Sequence, residues 1–115
     1  MMPRWPITQI LVPVESIDAS LAFYQGLGFT LKFRDGERFA ALDGGKVTLA
    51  LVSGTEDLTP GSLSFAVSVD DIEHAVAEAV ANGATLVAAI NRGPDEKRAS
   101  LIDRDGNSFV LYSKL

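Results

Sequence analysis

A repeat runs through this sequence, in which two segments match at a constant offset of about 55 residues. The apolar, β-branched run Gln9–Val14 has its counterpart in Ser64–Val69, and both runs are typical of a strand. Three further pairs of residues keep the same offset: Ile17 and Ile72, Ala22 and Ala77, Gly28 and Gly83. Because one copy has a single helix and cannot close a core alone, the repeat predicts two similar modules that fold together.

Each copy is predicted to contain one helix followed by three strands. Ser16 can cap the helix of copy one, and Asp70 with Glu73 three residues later resembles a capping box for the helix of copy two. Gly28 and Gly83 stand where the C-terminus of a helix needs a positive φ. The strands are predicted at Phe29–Arg34, Arg38–Leu42 and Lys46–Val52 in copy one, and at Thr85–Ile90, Arg98–Asp103 and Ser108–Ser113 in copy two.

The predicted fold class is α+β, with two βαβββ modules in one domain that spans residues 1–115. The modules cover residues 7–52 and 62–115, and residues 53–61 have the composition of a linker. Residues 91–97 are predicted to be a polar loop within the second module. We expect a curved, eight-stranded mixed sheet with its helices outside and a concave face inside, where a small molecule can bind.

The composition excludes several classes of site and partner. The chain has 115 residues with no Cys and one His, which excludes disulfides, thiolate metal sites and a His-rich metal site within one chain. A net charge of −5 argues against nucleic-acid binding and slightly favours a cationic ligand. No apolar run has the length of a membrane span, and Met1–Pro6 lacks the apolar stretch of a signal peptide, so we expect no membrane association and a cytoplasmic location.

Three motifs, in this order along the two copies, carry a resemblance to a known family. They are Ser20-Leu21-Ala22-Phe23-Tyr24 with Leu27-Gly28-Phe29, then Val69-Asp70-Asp71-Ile72-Glu73, then Asp103-Arg104-Asp105-Gly106-Asn107 before the last strand. The chain resembles the vicinal-oxygen-chelate superfamily, which includes glyoxalase, the bleomycin-resistance proteins and the extradiol dioxygenases, over roughly residues 7–113. The short connection Phe23–Phe29 is closest to the bleomycin-resistance branch, which implies a role in antibiotic resistance.

The resemblance also implies where the enzymes of this superfamily hold a divalent metal. Their four ligands, two from each copy, are generally His, Glu or Gln. The matching positions here hold Gln9, Thr48 or Ala50, Ser64, and Val110. Since such a site needs several imidazole or carboxylate donors, we expect no metal, no other cofactor and no catalytic residue.

Strand alternation predicts which side chains line the concave face. Gln9, Ser64, Ser68, Val110 and Tyr112 are expected to point inward. Ile10, Phe65 and Phe109 are expected to lie in the helix-covered core. The alternation does not decide which side of Arg38–Leu42 and Arg98–Asp103 faces inward.

Three further residues are candidates for ligand binding, each with a structural alternative. Trp5 is either an aromatic wall of the pocket or a packed end of the chain. Arg38 either reaches the pocket or is a solvated charge of a hairpin turn, and Glu96 either reaches the pocket or is a solvated charge of a loop. For Gln9, the alternative to ligand binding is a side-chain amide that hydrogen-bonds to a neighbouring strand or to water. His74, although the only His, is predicted to be an exposed helix residue without a role.

The leading hypothesis is therefore a metal-free protein that sequesters a small, planar or cationic compound, as the bleomycin-resistance proteins do. One alternative is an enzyme of the same superfamily, with Glu96 or Tyr112 as acid or base or with a non-standard metal site. Another is a domain whose concave face binds a partner protein. The sequence leaves open the identity of the ligand, any turnover, and whether modules pair within one chain or across a dimer. Exposed sheet edges and apolar surface predict a homodimer.

Overall fold

A computed structural model describes residues 4–54 and 58–115, and the chain divides into two compact units. The first unit comprises Thr8–Ser64, and the second joins Phe65–Leu115 to the N-terminal residues up to Ile7. Of the predicted linker, residues 53–61, positions 55–57 lie outside the described residues.

The first unit has the predicted βαβββ order. Its elements are β1 (Ile7–Pro13), α1 (Ile17–Gly26), β2 (Leu31–Asp35), β3 (Phe39–Gly44) and β4 (Val47–Val52). The strands lie in the order β2–β3–β4–β1, and only the β4–β1 pair among them is parallel.

Helix α1 begins and ends as the sequence predicts. Ser16 is its N-cap, and the Ser16 hydroxyl accepts a hydrogen bond from the backbone N–H of Ala19 at 3.2 Å. Beyond its C-terminus Gly28 has a φ of 100°, a conformation that favours glycine. The helix packs on one face of the sheet through a buried cluster, which consists of Val12, Ile17, Leu21, Ala40, Leu42 and Leu51.

The second unit repeats this arrangement with one additional short strand. Its elements are β5 (Ser64–Ser68), α2 (Ile72–Ala81), β6 (Thr85–Leu86), β7 (Asn91–Arg92), β8 (Glu96–Ile102) and β9 (Ser108–Lys114). The strands lie in the order β5–β9–β8–β6, β7 pairs with β8, and the β5–β9 pair is parallel. Helix α2 covers one face through a cluster that includes Val67, Ile72, Val76, Leu101 and Leu111. The predicted α+β class and mixed strand pairing are confirmed.

Three local predictions for the second unit are wrong. The N-cap of α2 is Asp71 rather than Asp70, since the Asp71 carboxylate accepts the N–H of His74 at 3.1 Å. The strand predicted at Thr85–Ile90 ends at Leu86, and the predicted loop over residues 91–97 contains β7 and the start of β8. A tight turn joins β7 to β8, in which the Gly93 N–H donates to the Glu96 carbonyl at 2.8 Å. The described residues therefore form nine strands rather than eight.

The segment before β1 belongs to the second unit, although it precedes the first module in sequence. The Trp5 side chain packs against the cluster around α2, and the Arg4 guanidinium forms an ion pair with Glu78. The Ser68 N–H donates to the Pro6 carbonyl at 3.3 Å. Neither helix within the described ranges is long and apolar enough to span a membrane.

Candidate functional site

The sheet of the second unit has one face covered by α2 and an opposite face, which we call the helix-free face. Phe65 and Phe109 pack against the α2 cluster, with ring centroids 5.6 Å apart, so the residues next to them in β5 and β9 point to the other side. The predicted alternation of these strands is therefore confirmed. Ser68 and Tyr112 lie together on the helix-free face, in register with each other.

Strand pairing brings two more polar side chains into line with Ser68 and Tyr112. Tyr112 pairs with Arg98 of β8, and Arg98 pairs with Asn91 of β7. We call Ser68, Tyr112, Arg98 and Asn91 the polar row. Asn91 is exposed and the other three residues are half-buried, so this row is accessible to a small molecule.

The neighbouring row on the same face is closed to solvent. Ala66 pairs with Val110 and Val110 pairs with Ser100. Val110 is 4% exposed, and Ser64, further along β5, is also 4% exposed. The structure thus places the predicted site residues Ser68 and Tyr112 on accessible surface, and Ser64 and Val110 in buried positions.

Arg98 differs from its neighbours in having a buried polar atom without a partner. Its Nη2 is buried, and no hydrogen-bond acceptor among the described residues reaches it. A guanidinium is always charged and has donors only, so a buried nitrogen of this kind loses hydration without compensation.

Glu96, a predicted site residue, lies two positions before Arg98 on β8 and therefore on the same face. Burial raises the pKa of the Glu96 carboxyl group, and the positive charges of Arg98 and Lys114 only partly oppose that effect. Asp95 raises the same pKa further. Lys114 is the register partner of Glu96, so an acid and two bases meet at this end of the face.

The first unit has a corresponding row on its own helix-free face. Gln9 pairs with Thr48, and Thr48 pairs with Asp43. The Thr48 hydroxyl accepts a hydrogen bond from Lys32 Nζ at 2.9 Å. The Asp43 carboxylate accepts the Gly45 N–H at 2.8 Å within the β3–β4 turn.

The donor set at the expected metal positions does not fit a divalent ion. Gln9 and Thr48 supply an amide and a hydroxyl that already accepts a bond from a cation, while Ala50 and Val110 supply nothing. A catalytic divalent site needs several carboxylate or imidazole donors, and one amide with one hydroxyl does not replace them. Across residues 4–54 and 58–115, no group of three His, Cys, Asp or Glu side chains comes together as a metal site.

Two predicted site residues lie away from the polar row. Arg38 is an exposed residue of the β2–β3 turn, where its guanidinium pairs with Asp35 at 2.8 Å. Trp5 lies on the α2 side of its sheet, where it lines a cavity of about 170 Å³ with Asp71, His74 and Glu78, among other residues. His74 is exposed, as the sequence predicts.

Arg98 is the functional candidate that the sequence analysis missed. Arg98 begins a predicted strand whose inward side strand alternation does not decide. The turn between β8 and β9 contains the missing signal, because it pairs Ile102 with Ser108. Counting back from that pair along both strands places Arg98 opposite Tyr112.

Comparisons with known proteins agree with this fold. The sequence model of the Glyoxalase/Bleomycin resistance protein/Dioxygenase superfamily matches residues 7–111. An uncharacterized protein of Mycolicibacterium smegmatis (strain ATCC 700084 / mc(2)155) is 39% identical over 109 residues, which are 95% of this chain and 94% of that protein.

Two solved structures are similar in fold alone. A glyoxalase/bleomycin resistance protein/dioxygenase superfamily member from Vibrio splendidus 12B01 has a TM-score of 0.68 and 21% identity, covering 95% of this chain and 98% of that one. Methylmalonyl-CoA epimerase from Mycobacterium tuberculosis has a TM-score of 0.71 and 18% identity, covering 95% and 87%. With its repeat, its two similar units of one helix and several strands, and this match over nearly its whole length, the chain belongs to the Glyoxalase/Bleomycin resistance protein/Dioxygenase superfamily.

Proposed function

We propose that this protein is a metal-independent binding protein that sequesters a small molecule in the cytoplasm, in the manner of the bleomycin-resistance branch that its sequence resembles. The observation that carries the proposal is the donor set on the helix-free faces. Gln9, Thr48 and Val110 occupy positions where the enzymes hold a metal, and they offer no carboxylate or imidazole. The fold is thus retained without the groups that metal chemistry requires.

The polar row is the surface that we assign to the ligand. The Tyr112 ring provides a flat, partly apolar contact, and the hydroxyl groups of Ser68 and Tyr112 add hydrogen-bonding groups. Ala66 and Val110 lie beside this row but are buried, so they support it without contacting the ligand. This combination suits a planar compound with a few polar substituents.

A thermal-shift screen of planar aromatic compounds tests the proposal. We expect some compounds to raise the melting temperature, and we expect excess EDTA to leave that increase unchanged, because ligand binding alone stabilises the folded state. The Ser68→Trp variant should lose the increase, since the new ring covers the polar row. Ser62→Trp, at an exposed position outside this row, is the matched control and should keep it. Loss of the increase in EDTA, restored by a divalent metal, would contradict the proposal.

An enzyme of the same superfamily is the second candidate, and the raised pKa of Glu96 favours it. A carboxyl group that holds its proton more tightly than usual can act as a general acid or base without a metal. One structure with a similar fold is named as an epimerase. If a compound that binds is also converted, and Glu96→Gln abolishes conversion while binding persists, the enzyme hypothesis replaces the binding protein.

A further inference from the structure

We infer that Arg98 anchors an oxyanion, a carboxylate or phosphate group of the bound small molecule, at the centre of the polar row. This inference deepens the proposed function and rests on it. It begins from the buried Nη2 atom of Arg98, which has no hydrogen-bond partner among the described residues. Removing a charged donor from water without a new partner costs free energy, and an oxyanion is the partner that offsets this cost most completely.

The protein's own acid on this face is a poor substitute for such a partner. Glu96 lies on the same side of β8, yet burial raises its pKa in spite of the nearby guanidinium. The attraction of the Arg98 charge is therefore too weak to offset the desolvation of the Glu96 carboxylate. The guanidinium remains available to an anion that brings its charge from solvent.

The neighbours of Arg98 suit the same ligand. Tyr112 lies opposite Arg98 in β9, and Ser68 lies opposite Tyr112 in β5, so two side chains with hydroxyl groups share the face on which Arg98 lies. The planar fork of an Arg side chain matches the two oxygens of a carboxylate or phosphate. The Tyr112 ring can hold the flat part of a ligand whose anionic group reaches Arg98.

The charges near the polar row, rather than the net charge of the protein, determine whether the row favours an anionic or a cationic ligand. The net charge of −5 slightly favours a cation when it is averaged over the whole surface. At this end of the helix-free face, however, the cations Arg98 and Lys114 lie near Glu96, whose raised pKa favours its neutral form, and near the exposed Asp95. A small ligand on the polar row meets these groups at close range, where they outweigh distant screened charges.

The test compares four probes of similar shape on the unmodified protein, by isothermal titration and ligand-observed NMR in EDTA. Benzoate and phenyl phosphate carry the oxyanion, benzamide is a neutral analogue and benzamidine is a cation. We expect at least one anion to bind roughly tenfold or more tightly than benzamide or benzamidine. Preference for benzoate identifies a carboxylate ligand, and preference for phenyl phosphate identifies a phosphate ligand.

Two variants assign the preference to Arg98. Arg98→Met should weaken binding of the preferred anion roughly tenfold or more and abolish its advantage over benzamide. The melting temperature of ligand-free Arg98→Met should equal or exceed that of the parent, because the variant removes an unpartnered buried donor. Arg104→Met, an exposed residue of the same unit, is the matched control and should bind as the parent does.

The possible failures are distinguishable. If benzamide or benzamidine binds as well as the anions, or if Arg98→Met keeps the anion preference, the inference is overturned and the binding function stands. If none of the four probes binds without metal, both the inference and the proposed function are overturned. The comparison of probes on the parent decides the matter even if Arg98→Met does not fold.

Discussion

A carboxyl group at position 96 lies on a half-buried strand, next to a guanidinium on the same face. Burial is the larger influence on its pKa and raises it, whereas the charges of Arg98 and Lys114 lower it less. The folded protein thus binds the Glu96 proton more tightly than the unfolded chain does. The contribution of Glu96 to stability is fully present below its unfolded pKa of about 4.5 and is lost as the pH rises through the folded pKa.

Glu96→Gln should therefore raise the free energy of unfolding near pH 7, because the amide avoids burial of a charge. The gain should shrink as the pH falls towards 4.5, where the parent carboxyl group is protonated too. Urea denaturation of both proteins at several pH values measures this difference. Glu37→Gln, at an exposed position, serves as the control. A Glu96→Gln protein that is less stable than the parent at pH 7 would show that the Arg98 charge, not burial, dominates.

Among the elements, the hairpin turn between β8 and β9 matters most for the site, because it sets the register that brings Arg98 to Tyr112. The turn is held by the Asp103 carboxylate, which accepts the Asn107 side-chain amide at 3.0 Å and the backbone N–H groups of Asn107 and Asp105, each at 2.9 Å. These hydrogen bonds lower the pKa of the Asp103 carboxyl group, and the bond from the Asn107 side chain has the largest effect.

Asp103→Ala should lower the urea midpoint at pH 7 and weaken ligand binding, since it frees the turn that fixes the register. A lowered pKa means that this stabilisation is present above the unfolded pKa of about 3.8 and is lost as the pH falls through the folded pKa. The difference between parent and variant should accordingly diminish in strong acid. Asp105→Ala, whose backbone N–H still reaches Asp103, should behave as the parent. Equal effects of the two substitutions would refute a specific role for the Asp103 carboxylate.

The assignment of faces in β5 is tested by two substitutions on opposite sides of the strand. Phe65→Ala should cost about 3 kcal/mol of unfolding free energy, because it removes a ring from the α2 cluster and from its stack on Phe109. Ser68→Trp should cost much less and should block the ligand. Chemical denaturation of each variant decides, and the reverse result would mean that the register is off by one residue.

The sequence predicts elements well where local chemistry determines them, and poorly where a partner strand does. The predicted N-cap Ser16 and the predicted positive φ of Gly28 are confirmed, because both features depend only on neighbouring residues. Asp70 is the predicted cap of α2, but the neighbouring Asp71 has the same side chain and is the residue that caps the helix. Strand β7 has two residues and exists through its pairing with β8, which no local pattern of Asn91–Arg92 reveals.

At the scale of the molecule, the repeat alone predicts two similar units, each with one helix that follows its first strand, and the structure has this order. The family match confirms the superfamily that the sequence resembles. Part of the candidate site follows from strand alternation, as Ser68 and Tyr112 show. Arg98 does not, because its placement depends on tertiary pairing across a turn. The position of Trp5 is not predictable from local sequence either, because the segment before β1 joins the second unit through contacts distant in sequence.

We further propose that the protein is a homodimer. Phe23 of α1 and Leu27, the C-cap that directly follows the helix, are 61% and 64% exposed, although both are large apolar residues. Multi-angle light scattering should give twice the mass of the chain, and Phe23→Lys with Leu27→Lys should shift it towards the monomer. A monomer mass at every concentration would contradict this proposal.

The central claim is that this member of the superfamily binds its ligand without a metal. The most direct measurement is isothermal titration of the preferred anionic probe into protein that has been treated with EDTA and checked by elemental analysis. We predict an unchanged dissociation constant, with metal content far below one equivalent before and after treatment. Metal near one equivalent in the purified protein, with binding lost on its removal and restored on its return, would contradict the account.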